Sequence, residues 1–321
     1  MGCHPTKIFK GHTKDWVDSV AYFPDGRRIA GASDKAVIIW DVESGRRDGQ
    51  PLLHESSVEW MALSPNGRRI ASGTGDRVVV WDVLTREVVH EIKCGVNRLA
   101  YSPDGSWIAT ASTGVGREVQ MWDADTGRPG REPLICDNRV WCMTFSPDGS
   151  RIAAGLHDGS FQVLDIATGK SVVGPIKGHT YWVNSVVYSL DGRRLLTGSR
   201  DRTIRVWNSK TGVQVGKPML GHEDHVACIS ICADGRRIAS GGWDGTVRVW
   251  DLKTRLQVGD SFNAGVWVLS QSVAHTSVAF SPDGRYVVSG GPDLDHVYLW
   301  DTESLASKGS VSIFIVLQYC F

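Results

Sequence analysis

Neither an excess of one charge nor a long apolar segment is present in this 321-residue sequence. Lysine and arginine number 35, as do aspartate and glutamate, so the formal net charge is +0 at pH 7. A neutral chain lacks the long-range attraction with which most nucleic-acid binders approach their target, and we therefore expect no nucleic-acid partner. The apolar segment 311–317 is too short to cross a bilayer.

Sequence signals for metal binding, disulfides and catalysis are sparse. The seven cysteines are an odd number with irregular spacing, so we expect reduced thiols, no metal site and no cofactor. The first residues lack the apolar run of a signal peptide, which predicts a cytoplasmic protein, with the nucleus as the alternative. A Walker phosphate loop, a GxSxG elbow and an HExxH helix are all absent, so the chain is predicted not to be an enzyme.

Tryptophan is abundant by contrast, since 13 tryptophans stand against 8 phenylalanines and 7 tyrosines. Six of them mark a repeat, in which three short motifs recur in the same order. Trp-Asp begins at Trp40, Trp81, Trp122, Trp250 and Trp300, with Trp207-Asn208 and Leu164-Asp165 in the gaps. Pro-Asp-Gly, or a variant of it, ends at Gly26, Gly67, Gly105, Gly149, Gly192, Gly235 and Gly284. Gly-His contains His12, His179 and His222, and His54 stands alone at the matching place.

Each repeat has the pattern of short β-strands separated by tight turns. Segments such as 19–23, 28–31 and 37–40 are rich in β-branched and aromatic residues and are bounded by Asp-Gly or Asp-Lys turns. Sustained helical periodicity is absent. Four short strands, repeated seven times, predict a closed ring of small sheets.

The order Gly-His, Pro-Asp-Gly, Ser-x-Asp and Trp-Asp resembles the WD40-repeat β-propeller family, with phrasing similar to fungal-type arrays. The resemblance implies an all-β, seven-bladed propeller with four-stranded antiparallel blades over residues 1–301, followed by an apolar tail at 302–321. The repeat units are 6–41, 42–82, 83–123, 124–165, 166–208, 209–251 and 252–301. In the family, the strand before the first Gly-His completes the last blade. We expect 7–10 to take this role over the competing segment 310–316, because it joins both ends of the ring.

The resemblance also implies a buried network of His, Ser or Thr, Asp and Trp inside the blades. The fifth unit contains all four, as His179, Ser199, Asp201 and Trp207. Other units contain parts of it: His12, Asp34 and Trp40; His54, Thr74, Asp76 and Trp81; Ser112 and Trp122; His222, Asp244 and Trp250. Ala32 and Gly242 occupy the expected hydroxyl position in the first and sixth units. Because partial copies recur around the ring, a structural role is favoured over a Ser-His-Asp catalytic triad, which would be needed only once.

Three other polar features have competing interpretations. The run His-Glu-Asp-His at 222–225 is interpreted as an exposed loop rather than a metal site, because it does not lie on a helix. Arginine pairs follow several Asp-Gly turns, and their acidic neighbours favour a charge-balanced rim over a ring of phosphate sites. Gly2, Cys3 and Thr6 fit a myristoylation pattern with an adjacent palmitoylation site, so membrane attachment is expected only if Gly2 and Cys3 are acylated.

The loops after Gly-His and the turns before the network aspartate vary between repeats, whereas the Pro-Asp-Gly turns hardly change. In the family, these variable segments lie on the top face, around the central channel. Tryptophan and arginine are the side chains most enriched in binding hot spots. The candidate partner-binding residues are Trp16, Asp18, Glu59, Arg139, Trp141, His157, Trp182, Asn184, Arg200, His225 and Trp243.

These features predict a non-catalytic scaffold, monomeric within a larger complex, that binds a protein or peptide on its top face. The tryptophans and arginines suit an extended peptide with apolar and acidic side chains, and Asp18 and Glu59 suit a basic residue at one end. Two alternatives remain. One is a substrate-receptor adaptor of a cullin ubiquitin ligase, suggested by the segment 250–253, and the other is the recognition region of a longer NTPase–WD40 signalling protein.

Overall fold

The computed structural model describes residues 4–11, 17–112, 116–263, 277–290 and 296–305. Within these ranges the strands form seven antiparallel sheets. The innermost strand of each sheet contacts the innermost strands of its two neighbours, and Ser19–Tyr22 of the first sheet contacts Val278–Phe280 of the last. The sheets therefore form a closed ring, and the predicted seven-bladed all-β propeller is confirmed.

Within each blade the strands follow one another from the central channel outwards. Blade 1 contains Ser19–Tyr22, Arg28–Ser33, Ala36–Asp41 and Leu52–Leu53. Blade 2 contains Trp60–Leu63, Arg69–Thr74, Arg77–Asp82 and Val88–Lys93. Blade 3 contains Arg98–Tyr101, Trp107–Ala111, Glu118–Asp123 and Leu134–Ile135. Blade 4 contains Val140–Phe145, Arg151–Leu156, Ser160–Asp165 and Ser171–Lys177. Blade 5 contains Val183–Tyr188, Arg194–Ser199 and Ile204–Asn208. Blade 6 contains Val226–Ile231, Arg237–Gly242, Thr246–Asp251 and Phe262–Asn263. Blade 7 contains Val278–Phe280, Tyr286–Ser289, His296–Asp301 and Lys7–Lys10. The short 3-10 helix Thr302–Leu305 follows His296–Asp301 in the chain.

A repeated Asp-Gly turn, which is Asn66-Gly67 in blade 2, joins the first two strands of each blade. In blade 4, Ser146 Oγ donates to Asp148 Oδ1 at 2.5 Å, and the Ser150 N–H donates to the same oxygen at 3.0 Å. Gly149 has a φ of 69°, in the left-handed region that glycine adopts without strain. The aspartate caps the turn and the glycine supplies its backbone angle, which explains why this motif varies so little between repeats.

The N-terminal strand Lys7–Lys10 completes blade 7 by pairing with His296–Asp301, from Lys7 opposite Leu299 to Lys10 opposite His296. The predicted closure by the N-terminal segment is therefore confirmed, and the competing segment 310–316 lies outside the described residues. Blades and repeats are consequently out of phase: Leu52–Leu53 belongs to the second repeat but pairs with Ala36–Asp41 of blade 1. With the exception of blade 5, each blade thus receives its outer strand from the next repeat around the ring, which ties neighbouring blades together.

Blade 5 departs from the predicted four-stranded pattern. Its outer position contains only isolated bridges, between Ile204 and Met219 and between Trp207 and Gln214. In blade 1, two consecutive residues, Leu52 and Leu53, pair at the same place. In blade 5 the pairing with Ile204 is limited to the single residue Met219.

Apolar side chains pack between neighbouring blades. Phe23 and Ile39 of blade 1 share one cluster with Met61 and Ile70 of blade 2. Among the described residues, no helix is both long and apolar enough to cross a membrane. Gly2, Cys3, His12, Trp16 and the segment 306–321 lie outside the described residues.

Candidate partner-binding site

The buried network in blade 5 uses a different hydroxyl from the predicted one. Trp207 Nε1 donates to Thr197 Oγ1 at 2.8 Å, and the same hydroxyl lies 2.7 Å from His179 Nε2. His179 Nδ1 lies 2.8 Å from Asp201 Oδ2, as predicted. Ser199 Oγ instead donates to the carbonyl of Tyr181 at 2.9 Å, so its assignment to the network is wrong.

Strand register explains this correction. Trp207 pairs directly with Leu195, and Thr197 is the next residue on the same face of that strand. Ser199 also lies on that face, but four residues from the pair it is roughly 13 Å away along the strand, beyond the reach of the indole N–H. The sequence contained the correct hydroxyl two residues before the one predicted.

The same offset corrects the other blades. In blade 6, Ser240 completes the network: it lies 2.7 Å from His222 Nε2 and accepts from Trp250 Nε1 at 2.8 Å, while His222 Nδ1 lies 2.9 Å from Asp244. The predicted Thr74 and Ser112 are likewise wrong as partners of the indoles. The tryptophan acceptors in blades 2, 3 and 7 are Ser72, Thr110 and Ser289.

Blades 1 and 2 hold incomplete versions. In blade 2, His54 Nε2 lies 3.2 Å from Ser72 Oγ, but Asp76 accepts from Thr74 at 3.1 Å and forms an ion pair with Arg77. In blade 1, Trp40 Nε1 donates to the carbonyl of Lys10 at 3.2 Å, and Asp34 lies in a turn with a φ of 49°. The network therefore stabilises strands, and its strongest forms are in blades 5 and 6.

The catalytic and metal interpretations gain no geometric support. His222 is buried inside its blade on Asp244 and Ser240, whereas His225 lies 2.6 Å from the carbonyl of Arg200 on the surface. The two histidines of this segment thus contact different groups. The described part of the chain contains no group of three histidine, cysteine or acidic side chains placed to hold a metal ion.

An aromatic and cationic arc forms where the top-face loops of blades 4 to 6 meet. Trp182 lies 4.8 Å from Trp141 and 3.8 Å from His157 between ring centroids. The Arg200 guanidinium stands 3.8 Å from the centroid of Trp182 and 5.1 Å from that of Trp243. His225 lies 4.9 Å from Trp243 and ends the arc. The predicted residues Trp141, His157, Trp182, Arg200, His225 and Trp243 are therefore brought together.

The members of this arc differ in exposure. Trp141 is only 8% exposed and forms the floor, whereas Trp182 and Trp243 are half-buried and present ring surface to solvent. Asn184 is buried and donates to the carbonyl of Val226 at 2.9 Å, so it supports the arc from below. Arg139 lies beside Trp141, with its guanidinium 5.3 Å from that ring.

Two residues that sequence analysis missed extend the arc into the channel. The Arg98 guanidinium lies 3.6 Å from the centroid of Trp60 and 5.3 Å from that of Trp141. A signal for them existed. Five residues before each Pro-Asp-Gly turn or its variant, the seven repeats contain Ser19, Trp60, Arg98, Cys142, Ser185, Cys228 and Ser277. Against five small residues, Trp60 and Arg98 stand out at this position.

These side chains surround a cavity of about 160 Å³ at the channel mouth. Its walls include Trp60, Arg98, Trp141, Arg200 and Trp243. Cys142 and Cys228 also line this cavity, and burial raises the pKa of each thiol to about 12, so both remain protonated. The cavity therefore presents aromatic rings, guanidinium groups and two protonated thiols.

Seven segments of the chain match the family model described as WD domain, G-beta repeat, at residues 3–41, 52–82, 85–123, 134–165, 170–208, 213–251 and 267–301. The chain belongs to the WD40-repeat family. A search of curated proteins finds no significant match to it. WD40 propellers are generally non-catalytic scaffolds that bind protein partners.

Burial changes the protonation behaviour of several groups on this WD40 top face. It lowers the pKa of Arg98 to about 9 and that of Arg200 to about 10, so both remain charged at pH 7. Burial and then the nearby Arg139 and Arg200 lower the pKa of His157, which favours its neutral form. The channel mouth therefore carries positive charge on Arg98 and Arg200.

Asp18 is strained electrostatically. Burial, and then the neighbouring Glu59 carboxylate, raise its pKa from 3.8 to about 7. The predicted proximity of these two acids is thus supported, and neither has an ion-pair partner in the described part of the chain. A positively charged group bound beside them would relieve this cost.

We expect Asp18→Asn to make the free energy of unfolding less dependent on pH between about pH 4 and pH 7. Because the folded-state pKa of Asp18 lies above the unfolded value, the folded state binds its proton more tightly, and stability falls as pH rises from about 4 to about 7. The substitution should raise the free energy of unfolding at pH 8 by about 1–2 kcal/mol, below the full value of the shift because the side chain is partly exposed. Urea unfolding at pH 5 and pH 8 measures this. A loss of stability at pH 8 would contradict it.

Proposed function

We propose that this WD40 propeller is a protein-interaction scaffold that binds an extended peptide or protein segment across the arc formed by Trp141, His157, Trp182, Arg200, His225 and Trp243. The observation that carries the proposal is the stack of half-exposed tryptophans around Arg200 at the mouth of the channel. Rigid aromatic rings offer a large contact area at little cost in conformational entropy. Trp182 and Trp243 are the anchors, and Trp141 supports them from below.

The opposite face differs in its charge pairing. There, Arg28 forms ion pairs with Asp25 at 2.8 Å and with Asp48 at 3.7 Å, and Arg237 pairs with Asp234 at 3.0 Å. The positive charges of these arginines are already neutralised by neighbouring aspartates. Arg200, by contrast, contacts aromatic faces and the Asn184 amide oxygen, and no carboxylate lies within ion-pair distance of it among the described residues. Charge on the top face is therefore available to a partner.

The segment 250–253 gives no separate support to the ubiquitin-ligase alternative. Leu252 is 5% exposed, and Asp251 Oδ1 accepts from the Lys253 N–H at 3.0 Å and from the Thr254 N–H at 2.7 Å. Asp123 caps the corresponding turn of blade 3 in the same way, accepting from the Thr126 N–H at 2.8 Å. These residues are explained by turn formation.

We expect Trp182→Ala or Trp243→Ala to weaken partner binding by at least about tenfold, because removing a well-packed tryptophan anchor typically costs about 2 kcal/mol or more. Proteins that co-purify with the wild-type chain are identified by mass spectrometry, and each is then titrated against the purified variants. Melting curves should change little, because both rings are half-exposed.

The matched control is Arg193→Glu, an exposed position in an Asp-Gly turn on the opposite face. A substitution that reverses the charge of Arg28 would be an unsuitable control, because that side chain also lies 4.4 Å over the Phe23 ring and pairs with two acids. The proposal fails if the control weakens binding as much as the tryptophan variants do. It also fails if those variants unfold the blade and leave no separable binding defect.

A further inference from the structure

We propose that the channel mouth binds a phosphorylated side chain of the partner peptide, with the phosphoryl group held between Arg98, Arg139 and Arg200. This inference rests on the proposed function, because it specifies which side chain of the bound peptide the arc recognises. All three guanidinium groups stand within 5.3 to 5.4 Å of the Trp141 ring. All three therefore lie around one tryptophan ring, and Arg98 and Arg200 also line the cavity at the channel mouth.

None of these three arginines has a carboxylate within ion-pair distance in the ranges that the structure describes. Elsewhere in the ring, arginines such as Arg28, Arg69 and Arg237 are paired with acids. Like charges gathered together destabilise a folded protein, and the carboxylate that acts on Arg98, that of Glu59, lies beyond ion-pair distance. A bound anion would remove that cost, and this gives the site its selectivity for negative charge.

Arg98 is the most informative of the three, because it is only 7% exposed. Its Nη1 donates to the carbonyl of Asn97 at 2.6 Å and to Asn97 Oδ1 at 3.2 Å. No described acceptor takes a hydrogen bond from its Nε or Nη2, and the side chain lines the cavity. These unused donors belong to a side chain that lines the cavity, so oxygen atoms of a ligand bound there can accept hydrogen bonds from them.

Arg139 repeats this pattern at the rim. Its Nε is buried and has no hydrogen-bond acceptor among the described residues. Arg200 Nε donates to Asn184 Oδ1 at a long 3.4 Å, which leaves most of its donors for a ligand. The planar fork of a guanidinium suits phosphoryl and carboxylate oxygens alike.

The number of charges favours phosphate over carboxylate. Three guanidinium groups meet at this mouth, and a phosphoserine or phosphothreonine carries about −1.5 to −2 charges at pH 7 against −1 for a carboxylate. In an extended peptide, successive side chains point to opposite sides, so two adjacent acids cannot both enter one mouth. A single doubly charged side chain is therefore the better match.

Degenerate peptide pools that differ only in one central residue test the proposal. The pools carry phosphoserine, glutamate or serine at that position, and fluorescence anisotropy measures their binding to the full chain. We expect the phosphoserine pool to bind at least about tenfold more tightly than the serine pool, and more tightly than the glutamate pool. Equal binding of glutamate and phosphoserine, or no binding of any pool, overturns the phosphoryl assignment.

Substitutions separate this assignment from the proposed function. Arg98→Gln and Arg200→Gln should reduce the ratio of phosphoserine-pool to serine-pool affinity to near unity, and Arg193→Gln on the opposite face should leave that ratio unchanged. Arg200→Gln is informative even if Arg98→Gln disturbs the channel, because Arg200 is half-exposed. Trp243→Ala should instead weaken all pools together. If the preference for the phosphoserine pool persists in both arginine variants, the proposed phosphoryl site is wrong.

Two further probes distinguish other sources of the same anion. Inorganic phosphate should compete with the phosphoserine pool only weakly, because it lacks the flanking contacts to Trp182 and Trp243. A single-stranded oligonucleotide also combines phosphates with stacking bases. If it binds more tightly than the phosphoserine pool, and this depends on Arg98 and Arg200, the peptide assignment is wrong.

Discussion

Phe9→Ala should destabilise the propeller by about 3–5 kcal/mol, because a fully buried phenylalanine is removed and a cavity is left. Phe9 is 0% exposed and its ring lies 6.1 Å from that of Trp40. It shares a cluster with Val297 of blade 7 and with Ile38 of blade 1. One side chain on the N-terminal strand therefore joins the two blades at which the ring closes.

The neighbouring Ile8 is a matched control on the same strand. It is 44% exposed, so Ile8→Ala should cost less than about 1 kcal/mol. Urea unfolding gives both values, provided that the slope against denaturant stays the same. If the two substitutions cost the same, the N-terminal strand does not stabilise the closed ring through its buried face.

The second large effect concerns the hydroxyl at the centre of the blade 5 network. Thr197→Val keeps the shape of the side chain but leaves Trp207 Nε1 and His179 Nε2 without their partner. Because both groups are buried, we expect a loss of about 3 kcal/mol in the free energy of unfolding. Ser199→Ala removes the hydrogen bonds of Ser199 Oγ to the Tyr181 carbonyl and from the Asp201 N–H, but leaves the indole and imidazole partners in place, and should cost about 1–2 kcal/mol.

This pair of variants also tests the register correction directly. Differential scanning calorimetry of the two proteins should place Thr197→Val well below Ser199→Ala in melting temperature. The reverse order would restore Ser199 as the network hydroxyl and contradict the hydrogen bonds of Thr197 and Ser199 in the structure.

The ring itself was predictable, because its signals are local. Asp148 and Gly149 form a turn through atoms within five residues of one another. Such a turn is encoded where it occurs, and its recurrence counts the blades. The closing strand was predictable for a different reason: an unpaired edge on blade 7 is unfavourable, and Lys7–Lys10 is adjacent to the first repeat.

The hydroxyl of each network was not predicted correctly, because it depends on how two strands align. Thr197 and Ser199 have the same chemistry and lie on the same face of one strand. Only the pairing of Leu195 with Trp207 determines which of them reaches the indole. Periodicity alone cannot distinguish two positions of equal parity.

By itself, the sequence determined the number of blades and the turns, and its resemblance to the WD40 family indicated the surface on which the variable residues would gather. The tertiary structure alone decided which tryptophans are buried and which are exposed, since Trp141 became a floor and Trp182 and Trp243 remained accessible. It also brought Arg98, Arg139 and Arg200 from three different blades to one tryptophan ring. Repeats encode local contacts, whereas a site at the channel mouth exists only after the ring has closed and its blades have met.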